Sequence, residues 1–240
     1  MDCNSQMNRY VYAILIPFYL CASEKLIVGE KLTYSASFKG IKAAKAKLEV
    51  VDSVEINEIK TYHVRFTAKS TGITDYIFPI KDVIDIWLIK NSLETIKVES
   101  NISEGNFKKK SGLVLYHNGG YLTSNNDTIQ FQETVHSPYS LFYFFRDKDL
   151  QDYKNKSIYT IQGKKVTELI LLIEKSVNTI VPAGSYMCNK LTPVKSDKKN
   201  FKNESKMSIL FSDDSNRYPV KIWLHLKYGS LILELENVVY

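Results

Sequence analysis

The sequence has few of the residues that interrupt regular structure and few that crosslink it. Among its 240 residues are 10 glycines, 6 prolines and 3 cysteines. Cys3 and Cys21 lie in the first 23 residues, so the rest of the chain keeps only Cys188 and cannot form an internal disulfide. Cys188 falls in an apolar strand pattern and is expected to be a small buried residue. Since no linker-like stretch is present, one large domain is favoured over two small ones.

The sequence also lacks the motifs of common catalytic and cofactor sites. It contains no nucleophile elbow, no phosphate-binding loop and no dinucleotide fingerprint. Metal-ligand spacing is missing among the four histidines, which are His63, His117, His136 and His225. We therefore expect no metal, no cofactor and a protein that is not an enzyme.

Charge of one sign is not concentrated along most of the chain. The net charge is +6, but cations and acids are interleaved except in the segment Lys195–Lys206, which we interpret as a solvated hairpin loop. This pattern does not favour nucleic acid as a partner.

No apolar run is long enough to cross a membrane. The longest, Val11–Leu20, has ten residues, whereas a hydrocarbon core of about 30 Å needs roughly 20. Cys21-Ala22-Ser23 then supplies the small residues that a signal peptidase requires. We predict a signal peptide over residues 1–23, and a mature chain without a transmembrane span that is periplasmic or associated with the outer membrane.

Two alternatives remain open within this leader. Cys21 could be the lipidated cysteine of a bacterial lipoprotein, although the bulky Phe18-Tyr19-Leu20 precedes it where such signals have small residues. Translation could also begin at Met7. Neither alternative changes the single domain expected over residues 24–240.

Alternation of apolar and polar residues recurs along that domain, as in strands with one buried face. Lys31–Phe38, Ala44–Val50 and Thr61–Lys69 follow this period of two and predict an antiparallel meander. About a dozen further strand candidates follow, a number that usually curls. The sequence therefore predicts an all-β, mostly antiparallel fold with a strongly curved sheet or half-closed β-barrel.

One segment departs from alternation. Ser137-Pro138 resembles a helix start, and Leu141, Phe142 and Phe145 then share one face. Tyr139, Tyr143 and Phe144 extend this apolar surface almost all the way round the helix. We predict a short buried helix that ends near Asp147 and plugs the sheet.

Several short patterns occur in order along the chain. They are G-E-x-L-x-Y at Gly29–Tyr34, a small-residue strand at Gly40–Val50, a turn with Asp82 and Asp85 at Phe78–Trp87, E-G-x-[aromatic]-[basic] at Glu104–Lys108, a helix ending in arginine at Ser137–Arg146, V-P-A-G-x-[aromatic] at Val181–Tyr186, S-D-D followed by P-V at Ser212–Val220, and a closing strand at Gly229–Leu235. Together they resemble the DUF3108 family. The chain departs from that family with Phe211 where tryptophan is common and with His136 where an acid precedes the helix. The resemblance implies an exported, β-rich envelope protein and no established activity.

Two pairs of acids are candidates for chemistry or for ligand contacts. Asp82 and Asp85 would point to opposite faces of a strand, and an acid buried among aromatic residues needs a partner. Arg146, at the end of the predicted helix, is the partner that we predict. A ligand-anchoring role is the alternative for these acids.

The carboxylates of Asp213 and Asp214 would point towards the same site only if the backbone turns there. Asn216 and Pro219 favour such a turn, and we expect the two acids to form hydrogen bonds within it. Cation binding and catalysis are the weaker alternatives.

The aromatic content, 16 Tyr, 11 Phe and 2 Trp, could fill the core or line a cavity for an apolar ligand. Our leading hypothesis is a non-enzymatic envelope protein that binds an apolar or amphipathic ligand, including lipid, in the concavity of the sheet. The candidate ligand contacts are Asp82, Asp85, Trp87, Tyr143, Arg146, Asp213 and Asp214. One alternative is a scaffold that contacts an envelope protein partner through a sheet edge or through the loop Lys195–Lys206. The other is a hydrolase that uses Asp213 or Asp214.

Overall fold

The computed structural model describes residues 25–124, 127–162, 165–196, 206–226 and 229–240. The predicted signal peptide, Cys21 and most of the loop Lys195–Lys206 lie outside these ranges, so those predictions stay predictions.

The first half of the chain forms an antiparallel meander in which each strand pairs with the next. The strands are β1 (Lys31–Phe38), β2 (Ile41–Ile56), β3 (Ile59–Ser70), β4 (Lys81–Ile89), β5 (Thr95–Glu104), β6 (Phe107–Tyr116), β7 (Tyr121–Ser124) and β8 (Asp127–Gln130). Strand β2 is longer at both ends than the predicted Ala44–Val50, and its hairpin turn falls at residues 57 and 58.

The second half extends the same sheet from its other side. Its strands are β9 (Val135–His136), β10 (Ser157–Gln162), β11 (Lys165–Val181), β12 (Gly184–Lys195), β13 (Lys206–Ser212), β14 (Pro219–Leu226) and β15 (Gly229–Val239). Strand β15 pairs with β1, so the two ends of the domain are joined at the centre of a 15-stranded sheet. Among the strands that the structure describes, only the pair of β9 and β10 is parallel, and β8 and β9 are the two edges.

Helical segments in the described residues are short. They are α1 (Ile73–Ile77), α2 (Leu141–Phe144) and three 3-10 turns at His117–Gly119, Phe145–Asp147 and Leu150–Tyr153. The buried helix was predicted, but it begins at Leu141 and not after Ser137. Ser137 still belongs to the preceding extended chain, where its N–H is 3.3 Å from Thr95 Oγ1. Helix α1 was not predicted.

Alternation sorts the side chains onto two faces. Leu48, Phe66 and Ile84 lie directly opposite one another in β2, β3 and β4, and we call the face that carries them the inner face. Residues of α2 pack against this face in the main core, where the rings of Phe145 and Phe211 are 6.1 Å apart. The helix therefore fills part of the concavity, as predicted for a plug.

The sheet closes by overlap and not by strand pairing. Ile158 of β10 joins the main core, whereas Ile161, on the opposite face of the same strand, joins a second cluster with Val135. That cluster also contains Leu115 and Leu122, which continue the inner face of β6 and β7. One edge region thus lies over the outer face of the other. The predicted strongly curved, unclosed sheet is confirmed.

The strand connections divide the fold into two ends. The plugged end holds α2 with the turns at residues 57–58, 90–94 and 213–218. The open end holds the turn at 39–40, the connection 71–80 with α1, and the turn at 105–106.

Candidate functional site

The plugged end is organised around a buried ion pair. Arg146 follows α2, and its Nη1 and Nη2 donate to the two carboxylate oxygens of Glu30 at 2.5 and 2.7 Å. Its Nε donates to the carbonyl of Asn216 at 3.1 Å, and its guanidinium lies 5.0 Å from the ring of Tyr218. Glu30 and Arg146 are 2% and 9% exposed, so the pair is shielded from solvent on all sides.

Burial acts against the charge of Arg146, but Glu30 outweighs it. Burial lowers the pKa of Arg146, whereas the hydrogen bonds and the charge of Glu30 raise it, and the pKa ends above its ordinary value. Tyr143 is buried beside the pair, and burial raises its pKa well above the usual range. Glu30 and Arg146 are enclosed and paired, whereas the hydroxyl of Tyr143 is buried without a hydrogen-bond partner among the described residues. Because all three groups are enclosed, they leave little access for a ligand.

The predicted partnership of Arg146 with Asp82 or Asp85 is wrong. Asp85 lies on the outer face, opposite Arg65, and its Oδ1 accepts from Arg65 Nε at 2.6 Å. Asp82 lies on the inner face at the open end, whereas Arg146 is at the plugged end. The two acids do point to opposite faces as expected, and neither reaches Arg146.

Asp85 and Trp87 belong to a cross-strand cluster on the outer face. His63 Nε2 is 2.7 Å from Asp85 Oδ1, and the ring of His63 stacks on Trp87 with centroids 4.7 Å apart. Lys97 Nζ lies 4.4 Å from the centroid of Trp87. These contacts satisfy the polar groups of a solvated sheet surface, away from the concavity.

Asp82 forms part of an acid pair at the open end. Its Oδ1 accepts from the N–H of Ser103 at 2.9 Å, and Glu104 lies beside it on the same inner face. Burial raises the pKa of both acids, and the charge of Asp82 raises the pKa of Glu104 further. Nearby, burial and then the charges of Asp82 and Glu104 raise the pKa of Tyr139 to about 12. Neighbouring carboxyl groups raise each other's pKa, which favours the protonated form of one of them.

Beside the acid pair, the inner face is apolar but incompletely covered. Towards the plugged end, Val50, Val64 and Leu88 are fully buried. Towards the open end, a set of inner-face apolar residues is only half-buried: Phe38, Phe66, Ala68, Ile102, Met207, Leu224 and Leu231. We call this set the open wall. The ring of Tyr139 packs over one side of it, 5.3 Å from that of Phe66.

Asp213 and Asp214 lie in the turn between β13 and β14, as predicted, but their carboxylates bind different groups. Asp214 Oδ1 accepts from the N–H groups of Asn216 and Arg217, each at 3.0 Å, and from the hydroxyl of Ser212 at 2.9 Å. Asp213 Oδ1 accepts from Asn189 Nδ2 at 2.7 Å. Both acids therefore have structural roles at the turn, and their carboxylates do not point towards one site as a hydrolase would require.

A separate cleft of about 610 Å³ lies where the sheet overlaps itself. It is lined by Gln130, Phe131, Gln132, Glu133, Val135, Tyr159 and Val166. Three of these polar residues are exposed, so the cleft opens to solvent. None of the ligand contacts predicted from the sequence lines it.

Two further observations limit the chemistry of the described residues. Among them, no group of three or more His, Cys, Asp or Glu side chains is arranged to hold a metal ion. Within the same ranges, no helix combines the length and apolar character needed to cross a bilayer. Cys188 is fully buried, and burial raises the pKa of its thiol.

Comparison with known proteins identifies the family. The profile described as "Protein of unknown function (DUF3108)" matches residues 33–236. The chain belongs to the DUF3108 family. A search of curated proteins gives no significant match.

Solved structures resemble this DUF3108 protein at low sequence identity. A β-barrel-like protein of the domain of unknown function DUF1849 from Brucella abortus is 10% identical, with a TM-score of 0.53, and the alignment covers 88% of this chain and 97% of that one. It shares the fold. A protein provisionally assigned as exported, with a YmcC-like fold, from Bacteroides fragilis has 10% identity, a TM-score of 0.39 and coverages of 89% and 97%. A protein provisionally assigned as a lipoprotein from Parabacteroides distasonis has 12% identity, a TM-score of 0.44 and coverages of 89% and 96%.

Three of the segments that suggested DUF3108 meet at the plugged end. Glu30 comes from the G-E-x-L-x-Y segment and pairs with Arg146 from the helix segment. The hydroxyl of Tyr34 donates to the carbonyl of Pro219 at 2.8 Å, which joins a third segment to the first. Glu30 and Glu104 both stood in quoted motifs, yet sequence reasoning missed them as partners, since spacing does not reveal contacts between distant strands.

Proposed function

We propose that this DUF3108 protein is an exported envelope protein that binds the apolar part of an amphipathic ligand along the open wall, without catalysing a reaction. Lipid is the ligand class that we favour. The observation that carries the proposal is the half-buried open wall beside Asp82, a carboxyl group that is buried on the same inner face. Apolar residues that remain half-buried inside a concavity gain free energy when an apolar ligand covers them.

The acid pair would fix the polar end of such a ligand. Asp82 and Glu104 are neighbouring carboxyl groups with raised pKa values, and a protonated carboxyl group can donate a hydrogen bond while a carboxylate accepts one. A hydroxyl, amide or ammonium group, or the carboxyl group of a fatty acid paired with a protonated acid, could exchange for part of that arrangement. Among the predicted ligand contacts, Asp82 is therefore the one that this site retains.

Export is supported by the amino-terminal leader described above. The scaffold alternative depends on the loop Lys195–Lys206, most of which lies outside the described residues, and it remains a prediction. We do not propose a hydrolase, because Asp213 and Asp214 are engaged with separate partners.

Filling the open wall tests the proposal. Ala68 is half-buried on the inner face, opposite Asp82, so Ala68→Phe places a ring where the ligand would lie. Thr67→Phe adds a ring to the outer face of the same strand and serves as the matched control. With parinaric acid, a fluorescent fatty acid, as the probe, we expect Ala68→Phe to weaken binding about tenfold or more and Thr67→Phe to leave it unchanged.

Native mass spectrometry of the unmodified protein provides a second readout, in which a co-purifying amphipathic molecule is expected and is lost from Ala68→Phe. Failure of the unmodified protein to bind parinaric acid and to carry any ligand would overturn the proposal. Equal weakening by Thr67→Phe would also count against it, since the binding site would then not be in the concavity.

A further inference from the structure

The open end carries apolar side chains that the fold leaves uncovered. Tyr76 is 92% exposed, Ile77 72% and Ile73 71%, all in α1, which has no buried residue. Three neighbours are also exposed: Phe78 (49%), which directly follows α1, and Ile41 (66%) and Phe107 (56%), the first residues of β2 and β6. We call these six residues the apolar rim. A contiguous exposed patch with large aliphatic and aromatic side chains marks an interaction surface.

The apolar rim is held in place by backbone hydrogen bonds. The N–H of Thr71 donates to the carbonyl of Ala43 at 2.9 Å, and the N–H of Gly105 donates to the carbonyl of Pro79 at 2.8 Å. The hydroxyl of Ser70 also donates to the carboxylate of Asp75 within α1. The three connections are therefore tied together and present their apolar side chains as one surface.

Behind the apolar rim, the outer face carries a belt of lysines. Lys45, Lys69 and Lys81 lie directly opposite one another in β2, β3 and β4. On β6, Lys108 and Lys110 alternate with Phe107 and Lys109 and so lie on this same outer face. Like charges directly opposite in a sheet repel one another, so this lysine belt favours an anionic partner.

Few acids neutralise this surface. Glu236 lies 3.5 Å from Lys45 and 4.0 Å from Lys42, and Asp75 accepts from Ser70. Glu104 is engaged with Asp82. The open end is therefore positive on its outer side and apolar at its tip.

We infer that the open end docks on the surface of a lipid bilayer that contains anionic headgroups. Lys69 lies two residues before the connection 71–80 that carries α1, and Lys81 directly follows it, so both lie within about 7 Å of the connection at a strand rise of roughly 3.3 Å per residue. An interfacial segment buries its apolar face about 5–10 Å into the boundary of headgroups and acyl chains. With the apolar rim at that depth, the lysine belt reaches the phosphate layer, where each lysine adds attraction to anionic lipid. The inference rests on the outer surface and does not depend on a ligand along the open wall.

Vesicle flotation tests the apolar contribution with a closely matched pair of variants. Ile77 in the apolar rim and Ile180 near the plugged end are both 72% exposed. The unmodified protein is expected to float with vesicles of phosphatidylcholine and phosphatidylglycerol. Ile77→Ser should lower the partition coefficient about tenfold, because it withdraws several methyl and methylene groups from the bilayer interface. Ile180→Ser should leave it unchanged, and since all variants carry the same amino terminus, the difference reports the apolar rim alone.

The lysine belt is tested in the same assay. The double variant Lys69→Gln with Lys81→Gln should weaken binding about fivefold for each lysine, whereas Lys60→Gln with Lys175→Gln, away from the open end, should have no effect. Binding of the unmodified protein should also fall with added salt and on vesicles of phosphatidylcholine alone.

Three results would overturn the inference. The first is no flotation of the unmodified protein with anionic vesicles, and the second is equal loss in Ile77→Ser and Ile180→Ser. The third is a dimer that Ile77→Ser dissociates without any vesicle binding, which would assign the apolar rim to a second copy of the chain.

Discussion

The two ends of this sheet use side chains in opposite ways. At the plugged end, Arg146 and Glu30 are enclosed and fully paired, and α2 fills the concavity. At the open end, the inner face is half-buried and the apolar rim faces solvent. The pKa values of Asp82 and Glu104 are both raised there. Both ends belong to one continuous sheet, so strand pairing does not explain the difference.

The plugged end contributes mainly to stability, and the open end is suited to recognition of a partner. Residues that are buried and paired contribute to the free energy of unfolding, whereas exposed apolar residues contribute little to it and remain available for a partner. We therefore expect substitutions at the plugged end to unfold the protein and substitutions at the open end to change what it binds.

The largest effect should come from breaking the buried ion pair. Glu30→Gln keeps the shape of the side chain but leaves the guanidinium of Arg146 buried without a counter-charge. We expect the free energy of unfolding to fall by about 3–5 kcal/mol, measured by urea denaturation at pH 7.

Glu49→Gln provides the matched control. Glu49 pairs with Lys31 at 2.9 Å, but both side chains are about a third exposed, and such pairs contribute less than about 1 kcal/mol. If the two variants lost the same stability, the plugged end would not be organised by its buried pair.

The next effect depends on pH and on His136, which lies against the plug. Its ring is 4.3 Å from that of Phe144, and burial lowers its pKa to about 4 from an ordinary value of 6.5. The unfolded chain therefore binds the proton first as the pH falls. Stability from the neutral ring is fully present above pH 6.5 and is lost between 6.5 and about 4, by roughly 3 kcal/mol.

His136→Asn should remove this loss, so the difference in unfolding free energy between variant and unmodified protein should shrink from pH 7 to pH 4.5. His225→Asn, at an exposed position, should leave the pH dependence unchanged. A pH dependence that His136→Asn does not alter would show that the ring is solvated or that it carries a charge in the folded protein.

Sequence reasoning predicted the fold well because the period of two is a local signal. Lys31–Phe38 was predicted to the residue, and the aromatic plug was identified from its apolar residues. Pairing of β1 with β15 was not predicted, since adjacent strands in the chain give no information about which distant strands meet. The overlap of the edges depends on the accumulated curvature of all 15 strands, so it could not be predicted from local sequence patterns either.

The site was predicted less well for the same reason. Arg146 was expected to pair with a buried acid, and it does, but the acid lies 116 residues away and sequence spacing could not select Glu30 over Asp82. Helix α1 was missed because its five residues are too few to show a helical period, and their exposure runs against the rule that apolar residues are buried.

The smallest expected effect is at the open end, and it is a gain in the free energy of unfolding where the other variants cause a loss. Because burial raises the pKa of Asp82 in the folded protein, its contribution to stability is fully present below its ordinary pKa of 3.8 and declines as the pH rises through the folded value. Asp82→Asn removes this decline and can still accept from the N–H of Ser103. We expect a slight gain in the free energy of unfolding at pH 7, measured by urea denaturation, and no gain at pH 3. Asp85→Asn, which breaks a pairing with Arg65, should instead lose stability at pH 7. Loss of stability in both variants would mean that Asp82 is needed as an ion, and the open end would then hold a charge and not a protonated carboxyl group.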